Sequence, residues 1–247
     1  MKQFGLIGYP LTHSFSKKYF ADKFEREGIT DCRYDLFELP DITRLPDVLQ
    51  TPNLRGLNVT IPHKQAVFPY LDRLDSSAQK VGAVNVIRLE DDGTRTGFNS
   101  DYYGFRQSLE EWFRNLDVNT EGLQALVLGT GGAAKAVTVV LTDLGIPYRL
   151  VSRTPSADRL TYEELPRVIA DYRLIINTSP VGTYPHTDEC PNLPYDQLTA
   201  QHLLYDLIYN PAETLFMRQG RERGAATHNG HRMLVLQAEK SWEIWNG

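Results

Sequence analysis

Residues 58–64 read NVTIPHK and set an amide, a hydroxyl and a lysine around the end of a β-branched run. Lysine ordinarily stays hydrated, so Lys64 is either a solvated side chain or a cation held at a strand end for chemistry. Other polar groups recur at similar places. GAVNV carries Asn85, and GFNSDYYG carries Asn99 and Asp101. PLTHSFS carries Ser14 and Ser16 just after the first apolar run. Two hydroxyls at i and i+2 of an extended backbone point the same way and could bind one carboxylate. On local grounds, Ser16 as the N-cap of the next helix is the better reading. Any one of these residues could be a turn residue. Together they offer hydroxyls, amides, a lysine and a carboxylate near several strand ends, where open α/β sheets bind ligands. Such a set suits a small, polyhydroxylated anion.

A second cluster is built from backbone. In LVLGTGGAAKAV, Gly129, Gly131 and Gly132 stand where a strand turns into a helix. The first glycine permits the tight turn, and the next two let the backbone approach a pyrophosphate at the positive end of the helix dipole. Ala133 and Ala136 let helix and strand pack closely. A glycine trio alone also suits any tight turn; the strand before and the helix after are what favour a dinucleotide. An NAD site carries an acid about 20 residues further on, at the ribose 2′-hydroxyl. Here Ser152, Arg153 and Thr154 stand in its place. A guanidinium and two hydroxyls suit a 2′-phosphate, which a carboxylate would repel. NADP is therefore favoured over NAD, with a solvated surface arginine as the alternative.

The elements that must position these groups alternate. Apolar or β-branched strands are expected at 2–8, 32–39, 55–60, 123–129, 148–152, 174–179, 203–208 and 225–228. Helical spacing marks 16–28, 102–115, 132–144 and 231–245, with a further helix between the strands at 148–152 and 174–179. Residues 84–99 alternate on both sides of Asp92-Gly93 and read as a hairpin. The order is that of an α/β protein with parallel sheets. Its 247 residues allow one large domain or two modest ones, and the texture changes near Asp101–Tyr102. A net charge of −5 argues against a nucleic-acid or membrane-surface binder. No apolar run approaches a membrane span, and the N-terminal residues read as a strand, not a signal peptide. Cys32 and Cys190 lie in no motif, so a cytosolic protein with reduced thiols is the simplest reading. The histidines show no metal-ligand spacing, and no metal is expected.

Taken in order, the motifs resemble the shikimate dehydrogenase family nearly end to end. They are S-x-S (Ser14, Ser16), N-V-T-x-P-x-K (58–64), G-A-V-N (82–85) and G-x-N-[ST]-D-x-x-G (97–104). After them come G-x-G-G-A (129–133), S-R-T (152–154), N-T-S-P-x-G (177–182), D-x-x-Y-x-P-x-x-T (206–214) and M-L-x-x-Q-A (233–238). The resemblance implies an N-terminal, mainly parallel α/β substrate domain (1–101) and a C-terminal Rossmann NADP-binding domain (102–230), with a cleft between them. The last helix, in 231–247, would pack back on the first domain.

The implied reaction is reversible hydride transfer between NADPH and 3-dehydroshikimate, giving shikimate on the way to chorismate and the aromatic amino acids. Lys64 and Asp101 would form the catalytic pair. Ser14, Ser16 and Tyr209 would hold the substrate carboxylate, and Thr60, Asn85 and Gln237 would join the pair at the ring hydroxyls. Gly129, Gly131, Gly132, Ala133, Ser152, Arg153 and Thr154 would bind the cofactor, with Asn177, Thr178, Leu207 and Gly230 along its nicotinamide side. The chain departs from the family pattern at Ala134-Lys135, Thr183 and His231-Arg232. A dehydrogenase that also takes quinate or NAD is the nearest rival reading. A non-catalytic sensor of shikimate or NADP is a rival of another class, and a homodimer is left open.

Overall fold

Phe4 to Gly8 are buried along the first strand, β1 (Lys2–Gly8), as a strand covered on both faces requires. The computed structural model describes residues 1–12 and 14–247. Its chain divides into two units, residues 1–104 with 235–247, and residues 105–234.

In the first unit β1 pairs in parallel with β2 (Cys32–Glu38) and β3 (Leu54–Val59). Between them run α1 (Phe15–Arg26) and the short α2 (Leu45–Leu49). After β3 come α3 (His63–Ala66), β4 (Arg73–Leu74), α4 (Ser76–Val81), and the antiparallel hairpin of β5 (Val86–Leu89) and β6 (Arg95–Phe98). The sheet order is β2-β1-β3-β5-β6-β4, with β3 and β5 antiparallel. α5 (Ser100–Asn115) leads into the second unit. There β7 (Ala125–Leu128), α6 (Gly132–Asp143), β8 (Tyr148–Val151), β9 (Arg159–Leu160), β10 (Leu174–Asn177), β11 (Leu203–Asp206), α7 (Leu215–Glu222) and β12 (Ala226–His228) follow. Their sheet, ordered β12-β11-β10-β7-β8-β9, is parallel throughout. Among the described residues no helix is long and apolar enough to cross a membrane.

The expected strands are present, most of them shorter by a residue or two. Three expectations fail. The first helix starts at Phe15 and is capped by Ser14, so Ser16 is not the cap. The helix expected between β8 and β10 is absent. Pro166 lies within a 3-10 turn (Tyr162–Arg167) followed by another at Ile169–Asp171, because its ring leaves no N–H for a helical bond. Buried packing against α6 falls on Ala134 and Ala136, while Ala133 is half-exposed. The short helices α2, α3 and α4 lack the length for a periodic signal. α4 is legible only through its Asp75 cap and Gly82, which stops it at φ 65°.

The last helix, α8 (His231–Asn246), completes the first unit from Val235 onward. Ala238, Ile244 and Trp245 join Phe4, Leu6, Phe20, Phe24 and Tyr34 in one core on one face of the sheet. The other face is covered by Ile7, Leu45, Leu57, Val59 and Val67. Trp245 stacks on Phe4 at 4.9 Å between centroids and donates its indole N–H to Ile87 O at 3.0 Å. It lies directly over Gly56, where a Cβ would come within 2.2 Å of the ring.

The second unit is tied at its strand ends by a carboxylate. Asp206, fully buried, accepts from Thr214 Oγ1 at 2.6 Å, Ile208 N at 3.0 Å and Asn177 Nδ2 at 3.1 Å. Burial pushes its carboxyl up to about 6 against those hydrogen bonds.

Two stability predictions result. Gly56→Ala should cost about 1–3 kcal/mol by overpacking and Trp245→Ala about 3–5 kcal/mol, both read by urea unfolding. The folded protein keeps the Asp206 proton after the unfolded chain has lost it near 3.8, so this group weakens the fold as pH rises from about 4 to about 6. The stability of wild type minus that of Asp206→Asn should fall across that window and level off above it; a flat difference would refute the assignment.

Candidate active site

Lys64 sits in the single turn of α3, immediately after β3. Its own carbonyl accepts from Val84 N at 2.8 Å, which ties the turn to the segment leading into Asn85. Asp101 lies in the first turn of α5. That turn is held by Asn99, whose Oδ1 accepts from Tyr102 N at 3.0 Å and whose Nδ2 donates to Ala83 O at 2.9 Å. Lys64 Nζ donates to Asp101 Oδ2 at 2.6 Å, with the lysine side chain 25% and the aspartate side chain 10% exposed. A largely desolvated pair of this kind is costly to form and adds little net stability, so its presence needs a reason other than the fold. Its geometry does suit proton transfer: a cation with three donors, oriented by an acceptor and still open to a ligand.

Ser14, Ser16, Thr60, Lys64, Asn85, Asp101 and Gln237 all belong to the first unit. Ser14 Oγ accepts from Lys17 N at 3.3 Å, which leaves its proton free for an acceptor. The Ser16 hydroxyl acts on the phenol of Tyr34, lowering its pKa against the larger upward push of burial. Thr60 leaves β3 with its N–H on Ile7 O at 2.9 Å. Asn85 is buried, its Oδ1 accepting from Ser100 N at 2.6 Å and its Nδ2 donating to Ser100 Oγ at 3.1 Å. Tyr209 belongs to the second unit, where burial raises its pKa.

The glycine loop follows β7 in the second unit. β7 is flanked by β8 on one side and β10 on the other, the switch point at which doubly wound sheets take a ligand. Gly129 has φ 105°, a region that favours glycine, and a Cβ there would stand 3.1 Å from Thr178 Oγ1. Gly131 and Gly132 differ: a Cβ on either meets no atom of the chain within 4 Å. The protein's own packing does not demand glycine at either position, whereas a pyrophosphate lying against the backbone would. Gly131 is the N-cap of the 12-residue α6 and offers no side chain to its first N–H groups. Those donors and the helix dipole suit phosphate oxygens.

At the end of β8 the Ser152 hydroxyl accepts from Thr154 N at 3.1 Å, and Arg153 is exposed beside Tyr162. These residues fit NADP. Asn177 holds the turn after β10, its Oδ1 accepting from Ser179 N and Oγ, and Thr178 Oγ1 donates to Leu128 O, just before the glycine loop, at 2.7 Å. Leu207 N donates to Asn177 O at 3.0 Å, and a Cβ on Gly230 would collide with Leu207 O. Of the departures from the family pattern, Thr183 Oγ1 donates to Asn210 O at 3.4 Å and Arg232 pairs with Glu111 at 2.7 Å.

Sequence reasoning assigned no role to Tyr34, Ser100, Ser241 and Asp206. Ser100 and Asp206 stand at fixed positions of the motifs at 97–104 and 206–214, and Ser241 lies one helical turn after Gln237 on the same face; Tyr34 had no such signal.

A family model described as the shikimate dehydrogenase substrate-binding domain matches residues 6–87. A shikimate dehydrogenase (NADP(+)) from Clostridium beijerinckii is 41% identical over 257 residues, covering 99% of this chain and 92% of the relative. The crystal structure of shikimate 5-dehydrogenase from Thermus thermophilus, in complex with NADP(H) and shikimate, is 29% identical with a TM-score of 0.83. It is matched over 100% of this chain and 94% of its own. A quinate dehydrogenase from Corynebacterium glutamicum in complex with NAD is 26% identical with a TM-score of 0.89, over 100% and 94% of the two chains. With motifs, sheet topology and near-full-length identity in agreement, the chain belongs to the shikimate dehydrogenase family.

Proposed function

We propose that the chain is an NADP-dependent shikimate dehydrogenase that reversibly reduces 3-dehydroshikimate to shikimate. The observation that carries the reading is the Lys64–Asp101 pair at 2.6 Å, set in the same unit as Ser14, Ser16, Thr60, Asn85 and Gln237. When bound, NADPH supplies the hydride that the ketone carbon accepts. As that carbon is reduced, its oxygen gains negative charge. The Lys64 ammonium stabilises that charge and delivers a proton to the oxygen; in the oxidative direction the lysine takes the proton back. Asp101 holds Nζ in place. Ser14 and Ser16 bind the substrate carboxylate, and Thr60, Asn85 and Gln237 bind ring hydroxyls. The backbone at Gly129, Gly131, Gly132 and Ala133 takes the pyrophosphate, and Ser152, Arg153 and Thr154 take the 2′-phosphate. Asn177, Thr178, Leu207 and Gly230 lie along the nicotinamide side. We assign the domains as a substrate-binding half and a Rossmann half, and place the protein in the cytoplasm, where the free thiols Cys32 and Cys190 stay reduced.

A second reading, oxidation of quinate with NAD, is favoured by the likeness to the quinate dehydrogenase. Quinate differs from shikimate by ring saturation and one hydroxyl. Arg153 in place of an acid speaks for NADP. Initial rates with shikimate and quinate, each with NADP and NAD, separate the readings; the proposal expects the highest kcat/KM for shikimate with NADP.

Lys64→Ala should lower kcat by roughly 10²–10⁴ with little change in KM, since the interaction grows in the transition state. Near-wild-type turnover would remove Lys64 from the mechanism. Arg153→Ala should raise KM for NADP far more than KM for NAD. Equal effects on the two cofactors would show that the guanidinium does not meet the 2′-phosphate.

A further inference from the structure

Ser241 is 1% exposed on α8, one turn beyond Gln237 and one turn before Trp245. Its hydroxyl donates to Gln237 O at 2.9 Å, which fixes the proton and aims the oxygen lone pairs away from its own helix. One lone pair accepts from Asn58 Nδ2 at 2.9 Å. The same Nδ2 donates to Asn85 O at 3.3 Å, and Asn58 Oδ1 accepts from Tyr34 OH at 2.8 Å. Asn85 in turn holds Ser100, the residue before Asp101, through two bonds. A continuous run of hydrogen bonds therefore joins α8, β2, β3, the segment before β5 and the start of α5. Its members include Asn85 and flank Gln237 and Asp101, but leave the far end of the Gln237 side chain out.

This is a poor place to spend polar groups for stability alone. The surrounding face of α8 is packed by Ala238, Ile244 and Trp245, and an alanine at 241 would continue that apolar surface. A hydroxyl there instead sets one axial position of α8 against β3, because a slip along the helix axis would break the bond to Asn58. Trp245 sets how closely the helix approaches; Ser241 sets its register.

We propose that Ser241 is a positioning residue for substrate binding: through Asn58 and Asn85 it holds Gln237 in register with the groups around Lys64 and Asp101. The proposal rests on the reading of Gln237 as a substrate contact. The test is steady-state kinetics and thermal unfolding of Ser241→Ala, Gln237→Ala and the double variant. Losing one partner of a buried hydrogen bond should raise KM for shikimate about five- to tenfold in Ser241→Ala. KM for NADP should stay unchanged, and Ser241→Thr, which keeps the hydroxyl, should recover most of the loss. Because Ser241 acts through Gln237, the double variant should be no worse for shikimate than Gln237→Ala alone.

If Gln237→Ala raises KM for shikimate while Ser241→Ala does not, the positioning role is overturned and the substrate reading stands. If Gln237→Ala leaves that KM unchanged, the substrate reading of Gln237 falls and the proposal falls with it. A lowered Tm with KM values for both ligands unchanged would likewise overturn it, as the mark of a purely structural hydroxyl. Should Ser241→Ala fail to fold, Ser241→Cys, similar in volume and a weaker hydrogen-bonding partner, carries the same comparison.

Discussion

The return of the last helix to the first sheet is the constraint on which the geometry of the first unit depends. An indole needs a flat, empty place to lie, and β3 provides it only because residue 56 has no side chain. Trp245 fills that place, stacks on Phe4 and satisfies its N–H on Ile87 O, so burial and hydrogen bonding agree. A helix that follows the whole second unit in sequence thereby becomes part of the first core. Gln237 comes with it, and so does Ser241. Without this closure one face of β1 would lose its cover, and the first unit would lack one member of the proposed substrate-binding set.

The candidate groups of the two units use different physics. In the first unit, the proposed chemistry would rest on side chains that are costly to bury: a partly buried lysine against a nearly buried carboxylate, with amides whose every polar atom must find a partner. Their supports are correspondingly elaborate, including a capping asparagine and a backbone bond that ties α3 to the segment before Asn85. In the second unit, the proposed cofactor binding would rest on backbone. Two glycines with nothing above them and a helix start without a side-chain cap offer an anion groups that any helix possesses. Here the supports are hidden, and Asp206 is the chief one, holding β10, β11 and the start of α7 by hydrogen bonds to a buried carboxylate.

These differences account for what could be read from the chain alone. The glycine loop, the basic end of β8 and the NVTIPHK stretch were legible because each is a local pattern, complete within a dozen residues. The hairpin at Asp92-Gly93 was legible for the same reason. The helix expected between β8 and β10 failed because Pro166 is incompatible with a continuous helix, although its neighbours are apolar enough to suggest one. The cap is Ser14 and not the expected Ser16, a difference of two residues, within the distance over which local propensity cannot discriminate.

By itself the sequence determined the alternation of strands and helices, the glycine turn suited to a dinucleotide, an arginine where an NAD site carries an acid, and the set of polar residues at strand ends. Those properties depend on neighbours in the chain, where propensity, periodicity and turn chemistry act. Only the tertiary structure decided that Lys64 meets Asp101, that Trp245 rests on Gly56, that Ser241 reaches Asn58 and that Asp206 is a buried tie. Most of these contacts join residues far apart in the chain, 183 positions in the case of Asn58 and Ser241. Their partners are chosen by shape and by the need to satisfy buried polar groups, and neither is written in the residue types alone.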